Sequence, residues 1–210
     1  MILITLGVIS LIFLIIIRRN GGKVQFIHFI STLLATLIGV LLAVTLSNSE
    51  KIKKEKEDTV KLINSASQII EMTYIYSTGL ESYLGELKKG SINNSDSLVA
   101  IFKNKNPLPY PDLIETIIAN ELITKNMSEF SYVTINSVII NLNRVRDYES
   151  INTYKRSLKE LEILFEMEME YQKGKLKLKV MNDEYILRTK EFSHEFYDTN
   201  TKSVEVNESE

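Results

Sequence analysis

Two apolar-dominated runs without a charged residue stand at the start of the chain, before any periodic alternation of apolar and polar positions begins. The first run covers residues 2–17 and the second covers residues 24–46. As a helix the second run is about 34 Å long, which exceeds the roughly 30 Å hydrocarbon core of a bilayer. The first run is about 25 Å long, at the short end for a membrane span. The pattern therefore predicts two transmembrane helices.

A short basic turn joins the two runs. Residues 20–22 are Asn-Gly-Gly, which tolerate unusual backbone angles, so the turn predicts a tight helical hairpin. Arg18, Arg19 and Lys23 are the only charged residues of this segment, and basic loops stay on the cytoplasmic side of a membrane. They are the predicted determinants of topology, which place the rest of the chain on the extracytoplasmic side of the plasma (inner) membrane. The lysines of residues 51–56 favour the opposite orientation.

Beyond residue 46, apolar positions recur at spacings of three and four, as in helices that bury one face. Neither glycine nor proline occurs between Gly39 and Tyr76, so the second membrane helix is expected to continue as a soluble helix to about Lys89. Its apolar seam is Val60, Ile63, Ala66, Ile70, Leu80, Leu84 and Leu87, with a second strip of Leu62, Ile69, Tyr76 and Tyr83. Four later helices are predicted. The first ends near Lys103, the second covers residues 112–122, the third begins at Ser128, and the fourth runs from about Asn152 through Phe192.

The predicted fold class is all-α, with three parts. Residues 1–47 form a transmembrane hairpin, and residues 48–197 form an elongated antiparallel helical bundle with long coiled-coil-like helices. Residues 198–210 are acidic and almost free of apolar side chains, which predicts a disordered tail. One segment is ambiguous, because residues 175–180 alternate lysine with leucine or valine like a strand. We assign that segment to the final helix, since the helical spacing continues through it.

Small residues recur at every fourth position of the second membrane helix. They are Ser31, Ala35, Gly39 and Ala43, and we call them the small-residue stripe. Small side chains let two helix backbones approach closely inside a membrane, so the stripe predicts helix packing or oligomerisation. Its partner is either the first membrane helix of the same chain or a helix of another copy.

Composition excludes several kinds of function. The chain has 25 basic and 27 acidic residues, and no basic field large enough for nucleic-acid binding. It has no cysteine and two histidines, His28 and His194, and neither histidine belongs to a catalytic pattern. Glu166, Glu168 and Glu170 alternate with methionine and are interpreted as a solvated face. We therefore predict no catalytic, metal-binding or cofactor-binding site, and no enzymatic activity.

A membrane hairpin followed by a soluble helical module resembles, in its layout, the small two-transmembrane effectors of bacterial defence systems. The resemblance implies a soluble domain that senses a signal and membrane helices that oligomerise and permeabilise the bilayer. It covers residues 1–46 and transfers no functional residue. Two functions follow from the sequence: a membrane-anchored scaffold or receptor-like module that binds a protein partner, or a membrane-disrupting effector that oligomerises through its second membrane helix.

Overall fold

A computed structural model describes Leu11, Ile12, Ile15 and the ranges 24–90 and 95–191. Every regular element within those residues is helical and none is a strand, which confirms the predicted all-α class for them. The helices are α1 (Val24–Gly90), α2 (Ser95–Lys105), α3 (Asp112–Ile118), α4 (Glu121–Asn126), α5 (Glu129–Arg144), α6 (Ile151–Gln172) and α7 (residues 181–191), with 3-10 turns at Tyr148–Ser150 and Leu178–Val180.

The chain divides into two compact units, Met1–Lys54 and Glu55–Glu210. In the first unit, only Leu11, Ile12 and Ile15 of the first predicted membrane helix are described, and all three are helical. The hairpin turn and the predicted tail over residues 198–210 lie outside the described residues. The expected continuation of the second apolar run to about Lys89 is confirmed, because α1 extends without a break to Gly90.

Most of the core of the second unit comes from one buried seam on each of its three longest helices, and in each seam the buried positions recur at spacings of three and four. The connector and the short helices add Leu108, Ile114, Ile118, Ile123 and Met127. The seam of α1 is Thr59, Ile63, Ala66, Ile70, Thr73, Ser77, Leu80 and Leu84; that of α5 is Ser131, Ile135, Val138 and Leu142; that of α6 is Ile151, Tyr154, Leu158, Leu161, Phe165, Glu168 and Gln172.

Three hydroxyl residues interrupt the apolar seam of α1 without leaving unsatisfied polar groups. The hydroxyls of Thr59, Thr73 and Ser77 each donate a 2.7 Å hydrogen bond to the backbone carbonyl four residues earlier. A buried hydroxyl that makes such a bond avoids most of the cost of desolvation. The predicted seam omitted these residues because they are polar, although they continue its spacing.

Ion pairs and hydrogen bonds define the direction of the helices in the second unit. Lys155, near the start of α6, forms a 2.8 Å ion pair with Glu81, near the end of α1. Ser128, which caps the start of α5, bonds to Glu168 near the end of α6. Helix α6 is therefore antiparallel to both α1 and α5. Lys125 and Glu55 form a 2.9 Å ion pair, so the α4–α5 connection lies at the end of this unit where α1 enters it.

The proline-rich connector is held by two phenol groups. The Tyr148 hydroxyl donates to the carbonyl of Asn106, and the Tyr154 hydroxyl donates to the carbonyl of Pro109. Tyr154 is the largest of the fully buried side chains and lies against the small residue Ser77. Burial raises the pKa of the Tyr154 phenol to about 12, and the neighbouring Ser77 hydroxyl offsets only part of that increase.

Two predicted helices are each divided in the structure. The range predicted as one helix over residues 112–122 contains α3 and only the start of α4, because Asn120 adopts an extended conformation and its side chain caps α4. The final helix predicted from Asn152 through Phe192 is also wrong, since α6 ends at Gln172 and α7 starts at residue 181. Gly174 has φ +72, a left-handed conformation that glycine adopts readily and that ends α6.

The raised pKa of Tyr154 predicts a loss of stability in alkali. An unfolded tyrosine ionises near pH 10, so above that pH the unfolded chain releases a proton that the folded phenol retains up to about pH 12. The stabilisation is complete below about pH 10 and is lost as the pH rises through 12, by roughly 2 kcal/mol. We expect Tyr154→Phe to unfold more easily at pH 8, because it loses the bond to Pro109, and to lose stability less steeply above pH 10.

Tyr83→Phe, at an exposed phenol, is the control. Denaturation curves between pH 8 and 12 test this, and parallel pH profiles for parent and Tyr154→Phe would refute it.

Candidate functional site

The N-terminal part of α1 presents a long exposed apolar surface. Among the described residues, α1 is the one helix long and apolar enough to cross a membrane, and none of its most apolar 18-residue window is buried. Phe29, Leu33, Leu37, Val40 and Leu42 are all exposed. A contiguous exposed apolar surface of this size is typical of a site that contacts lipid or another protein.

The small-residue stripe does not lie on a single face of this helix. A four-residue step advances about 40° around a helix, so Ser31 and Ala43 are about 120° apart. Ser31 is half-buried, as are Ile30, Leu34 and Ile38, whereas Ala35, Gly39 and Ala43 are exposed. A Cβ atom placed on Gly39 would have nothing within 4 Å. Gly39 therefore leaves an open surface on this side of α1.

The threonine hydroxyls of the apolar part of α1 bond within the helix. Thr32 donates to the carbonyl of His28, and Thr36 donates to that of Thr32, both at 2.9 Å. Thr45 donates to the carbonyl of Leu42, also at 2.9 Å. Back-bonding of this kind lets a hydroxyl remain in an apolar environment without a partner on another helix.

The structure leaves the predicted topology determinants undescribed. Arg18, Arg19 and Lys23 lie outside the described residues, as does His194. His28 is exposed on α1 and therefore remains a surface residue of the apolar helix in the described part of the chain. No group of three or more histidine, aspartate or glutamate side chains with metal-binding geometry occurs among the described residues.

A second exposed apolar surface lies on α1 in the second unit. On the side of α1 that faces away from the buried seam, the exposed residues are mostly polar before Met72 and mostly apolar from Met72 onward. We call this apolar part the outer face. The outer face consists of Met72, Ile75, Tyr76, Gly79 and Tyr83. Tyr76 and Tyr83 belong to the second predicted apolar strip, but they are 55% and 51% exposed. The predicted strip is buried only in part, at Leu62 and Ile69.

Aromatic rings extend the outer face towards α2. The rings of Tyr83 and Phe102 are 5.0 Å apart, and those of Phe102 and Tyr148 are 6.4 Å apart. The Lys103 ammonium lies 5.8 Å from the centre of the Tyr148 ring. Exposed aromatic side chains with an amphipathic edge are enriched at protein–protein contact sites. This surface is the best-formed candidate for a protein partner in the second unit.

One carboxylate is fully buried at the start of α5. Glu168 accepts hydrogen bonds from the Ser128 amide at 3.1 Å, the Ser128 hydroxyl at 2.6 Å and the Gln172 amide at 2.7 Å. Gln172 also donates to the carbonyl of Asn126 at 2.6 Å. The positive end of the α5 dipole faces the carboxylate, because Ser128 is the N-cap of that helix. The arrangement connects the end of α6 to the start of α5.

The interpretation of Glu166, Glu168 and Glu170 as one solvated face is therefore wrong for Glu168. Glu166 is an exposed residue, and its pKa is raised mainly by partial desolvation of the carboxyl group and secondarily by repulsion from Glu162. Glu170 forms a 2.8 Å ion pair with Arg188 of α7. The spacing Leu161, Phe165, Glu168, Gln172 places Glu168 in the buried seam, and that spacing was the sequence signal for it. Only Ser131, among the buried side chains described, has a hydroxyl without a hydrogen-bond partner.

Comparison with protein-family models, with curated proteins and with solved structures finds no match to this chain. Two separate candidate surfaces are therefore defined by geometry alone: the exposed stripe residues of the apolar helix in the first unit, and the outer face in the second unit.

The buried carboxylate predicts different effects for two neighbouring glutamates. Glu168→Gln replaces one acceptor oxygen by an NH2 group, which then faces hydrogen-bond donors and cannot accept from them. We therefore expect it to lower the free energy of unfolding by about 1–3 kcal/mol. Glu166→Gln changes an exposed side chain, so its effect should stay within about 0.5 kcal/mol. Urea unfolding of the full chain in detergent micelles, followed by circular dichroism, measures both. Equal effects of the two substitutions would contradict the role assigned to Glu168.

Proposed function

We propose that the chain is a membrane-anchored helical-bundle protein that acts through protein–protein contacts, as a scaffold or receptor-like module, and not as an enzyme. The observation that carries this proposal is the combination of an uncovered apolar helix with a bundle that exposes the aromatic outer face. The first provides a surface for lipid, and the second provides a surface for a protein partner.

The proposed anchor is a two-pass hairpin formed by residues 2–17 and 24–46. Support for a membrane location comes from the exposed leucine, valine and phenylalanine side chains of α1, since none of its most apolar 18-residue window is buried. The basic turn with Arg18, Arg19 and Lys23 favours a cytoplasmic hairpin tip. The bundle is then extracytoplasmic, and the membrane is the plasma (inner) membrane.

The proposed binding surface for a partner is the outer face. Its side chains project from a helix that the buried seam holds in place, and they therefore present a defined apolar surface to another protein. Glu71 and Glu86 border the surface on α1, and no lysine or arginine lies between Lys61 and Lys88 in the sequence. A partner with an apolar face and basic edges suits this surface best.

A second candidate function is a membrane-disrupting effector that oligomerises through α1. The exposed and unfilled surface at Gly39 favours it, because a stripe that packed only against the first membrane helix would not need to remain open. In this function, contacts between copies of Ala35, Gly39 and Ala43 bring the membrane helices together. A change in the bundle then alters their association.

Expression in a bacterial host separates the two functions. A scaffold predicts normal growth and an unchanged membrane potential after induction of the parent chain and of Gly39→Leu. The effector predicts growth arrest by the parent that Gly39→Leu abolishes, because leucine fills the surface that a second helix needs. Val40→Leu, at an exposed position that is already large, is the matched control and should behave as the parent does. Arrest by the parent would contradict the scaffold proposal, and arrest by all three would exclude the stripe as its cause.

A further inference from the structure

The turn between α6 and α7 has the composition of a membrane-surface element. Residues 173–180 read Lys-Gly-Lys-Leu-Lys-Leu-Lys-Val, and we call them the lysine loop. The loop has four lysines, no acidic residue and three apolar side chains. Because it is a turn and not part of a long helix, its side chains are not restricted to one helical face.

The end of α6 fixes the start of the lysine loop. The Gly174 amide donates to the carbonyl of Tyr171 at 2.9 Å, and the Lys175 amide donates to that of Glu170 at 2.8 Å. These bonds satisfy carbonyls at the negative end of the α6 dipole, where lysine side chains are favourable. The loop is therefore a defined turn, ending in the 3-10 segment Leu178–Val180.

The lysines and the apolar residues of the loop are available to an external surface. Lys173, Lys175, Lys177 and Lys179 are all exposed, and none forms an ion pair within the described part of the chain. Leu178 is 51% exposed and Val180 is 39% exposed. Leu178 also borders a surface groove of about 420 Å³ that is lined by Phe130, Val133, Thr134 and the one acidic residue Glu129. The loop thus combines unpaired positive charge with exposed apolar surface.

The lysine loop lies at the end of the second unit where α1 enters. Gln172, the residue before the loop, bonds to the carbonyl of Asn126, and the adjacent Lys125 pairs with Glu55. Eight residues separate Leu46, at the end of the predicted membrane span, from Glu55. That length of chain reaches at most about 30 Å, so this end of the bundle stays close to a membrane in which α1 is anchored.

We propose that the lysine loop binds the surface of an anionic lipid bilayer, an inference that rests on the membrane anchor proposed above. The four ammonium groups attract acidic headgroups, and Leu178 and Val180 enter the boundary between headgroups and acyl chains. Basic residues next to apolar residues suit this boundary better than they suit an aqueous protein surface. The contact fixes the bundle against the bilayer and leaves the outer face of α1 available to a partner.

Tryptophan fluorescence tests the contact, because the native chain contains no tryptophan. The full chain with Leu178→Trp is reconstituted into vesicles of equal parts phosphatidylcholine and phosphatidylglycerol, in which the acyl chains are brominated to quench nearby indoles. Ile140→Trp is the matched control, since Ile140 is also an exposed apolar residue but lies near the opposite end of α5. We expect about threefold stronger quenching at position 178 than at position 140 in these vesicles. In pure phosphatidylcholine the quenching at 178 should fall towards that of the control.

Neutralising the lysines tests the electrostatic part of the contact. In the Leu178→Trp background, the triple change Lys175→Gln, Lys177→Gln and Lys179→Gln should reduce the quenching in anionic vesicles by at least about half. A matched triple change at the exposed residues Lys88, Lys89 and Lys105 should leave it unchanged. Quenching at 178 that does not exceed that at 140, or that survives loss of the loop lysines, would overturn the inference. The inference would also be overturned if the indole fluorescence changed on addition of a DNA duplex but not on addition of anionic vesicles.

A third position distinguishes failure of this inference from failure of the anchor. Leu37→Trp lies in the apolar part of α1 and should be quenched in both lipid compositions. If position 37 is quenched and position 178 is not, the loop contact is wrong and the anchor stands. If neither position is quenched, the anchor is wrong as well.

Discussion

The hydrogen bonds between Glu168 and the start of α5 are the contact on which the described bundle depends most. A buried carboxylate without a partner is strongly unfavourable, so α6 keeps Glu168 in its seam only while the Ser128 amide, the Ser128 hydroxyl and the Gln172 amide surround it. The same hydroxyl of Ser128 accepts a hydrogen bond from the backbone amide of Ser131 and so caps α5. One side chain therefore fixes the register of two antiparallel helices.

Helix α1 is in two different environments along its length. In the second unit its seam is buried, and even its polar members Thr59, Thr73 and Ser77 are satisfied by back-bonding to the helix. In the first unit its apolar side chains are exposed, and a bilayer is the environment that suits them. The proposals on anchoring, on the outer face and on the lysine loop all follow from apolar surface that the described protein does not cover.

Much of the helical architecture was predictable from spacing. The length of α1, the cap at Ser128 and most apolar seam positions follow directly from the three-four pattern and from local capping chemistry. The break at Gly174 was missed because helical spacing continues across it, and only the left-handed conformation of the glycine shows the end of α6. Glu168 was missed because composition suggests solvent for a glutamate, whereas its partner Ser128 lies forty positions away in the sequence. The exposure of Tyr76 and Tyr83 depends on which neighbours pack against α1, and periodicity alone does not specify those neighbours.

Thiol accessibility along α1 tests the membrane anchor most directly. The chain has no cysteine, and Leu37 and Asn64 are both exposed side chains on this one helix, so Leu37→Cys and Asn64→Cys differ chiefly in their predicted surroundings. With an impermeant maleimide, we expect Asn64→Cys to react in intact cells. Leu37→Cys should react only after denaturation in detergent, because a thiol in hydrocarbon does not ionise. Reaction of Asn64→Cys only in broken cells would reverse the proposed orientation. Equal reaction of the two cysteines in native membranes would contradict the anchor itself.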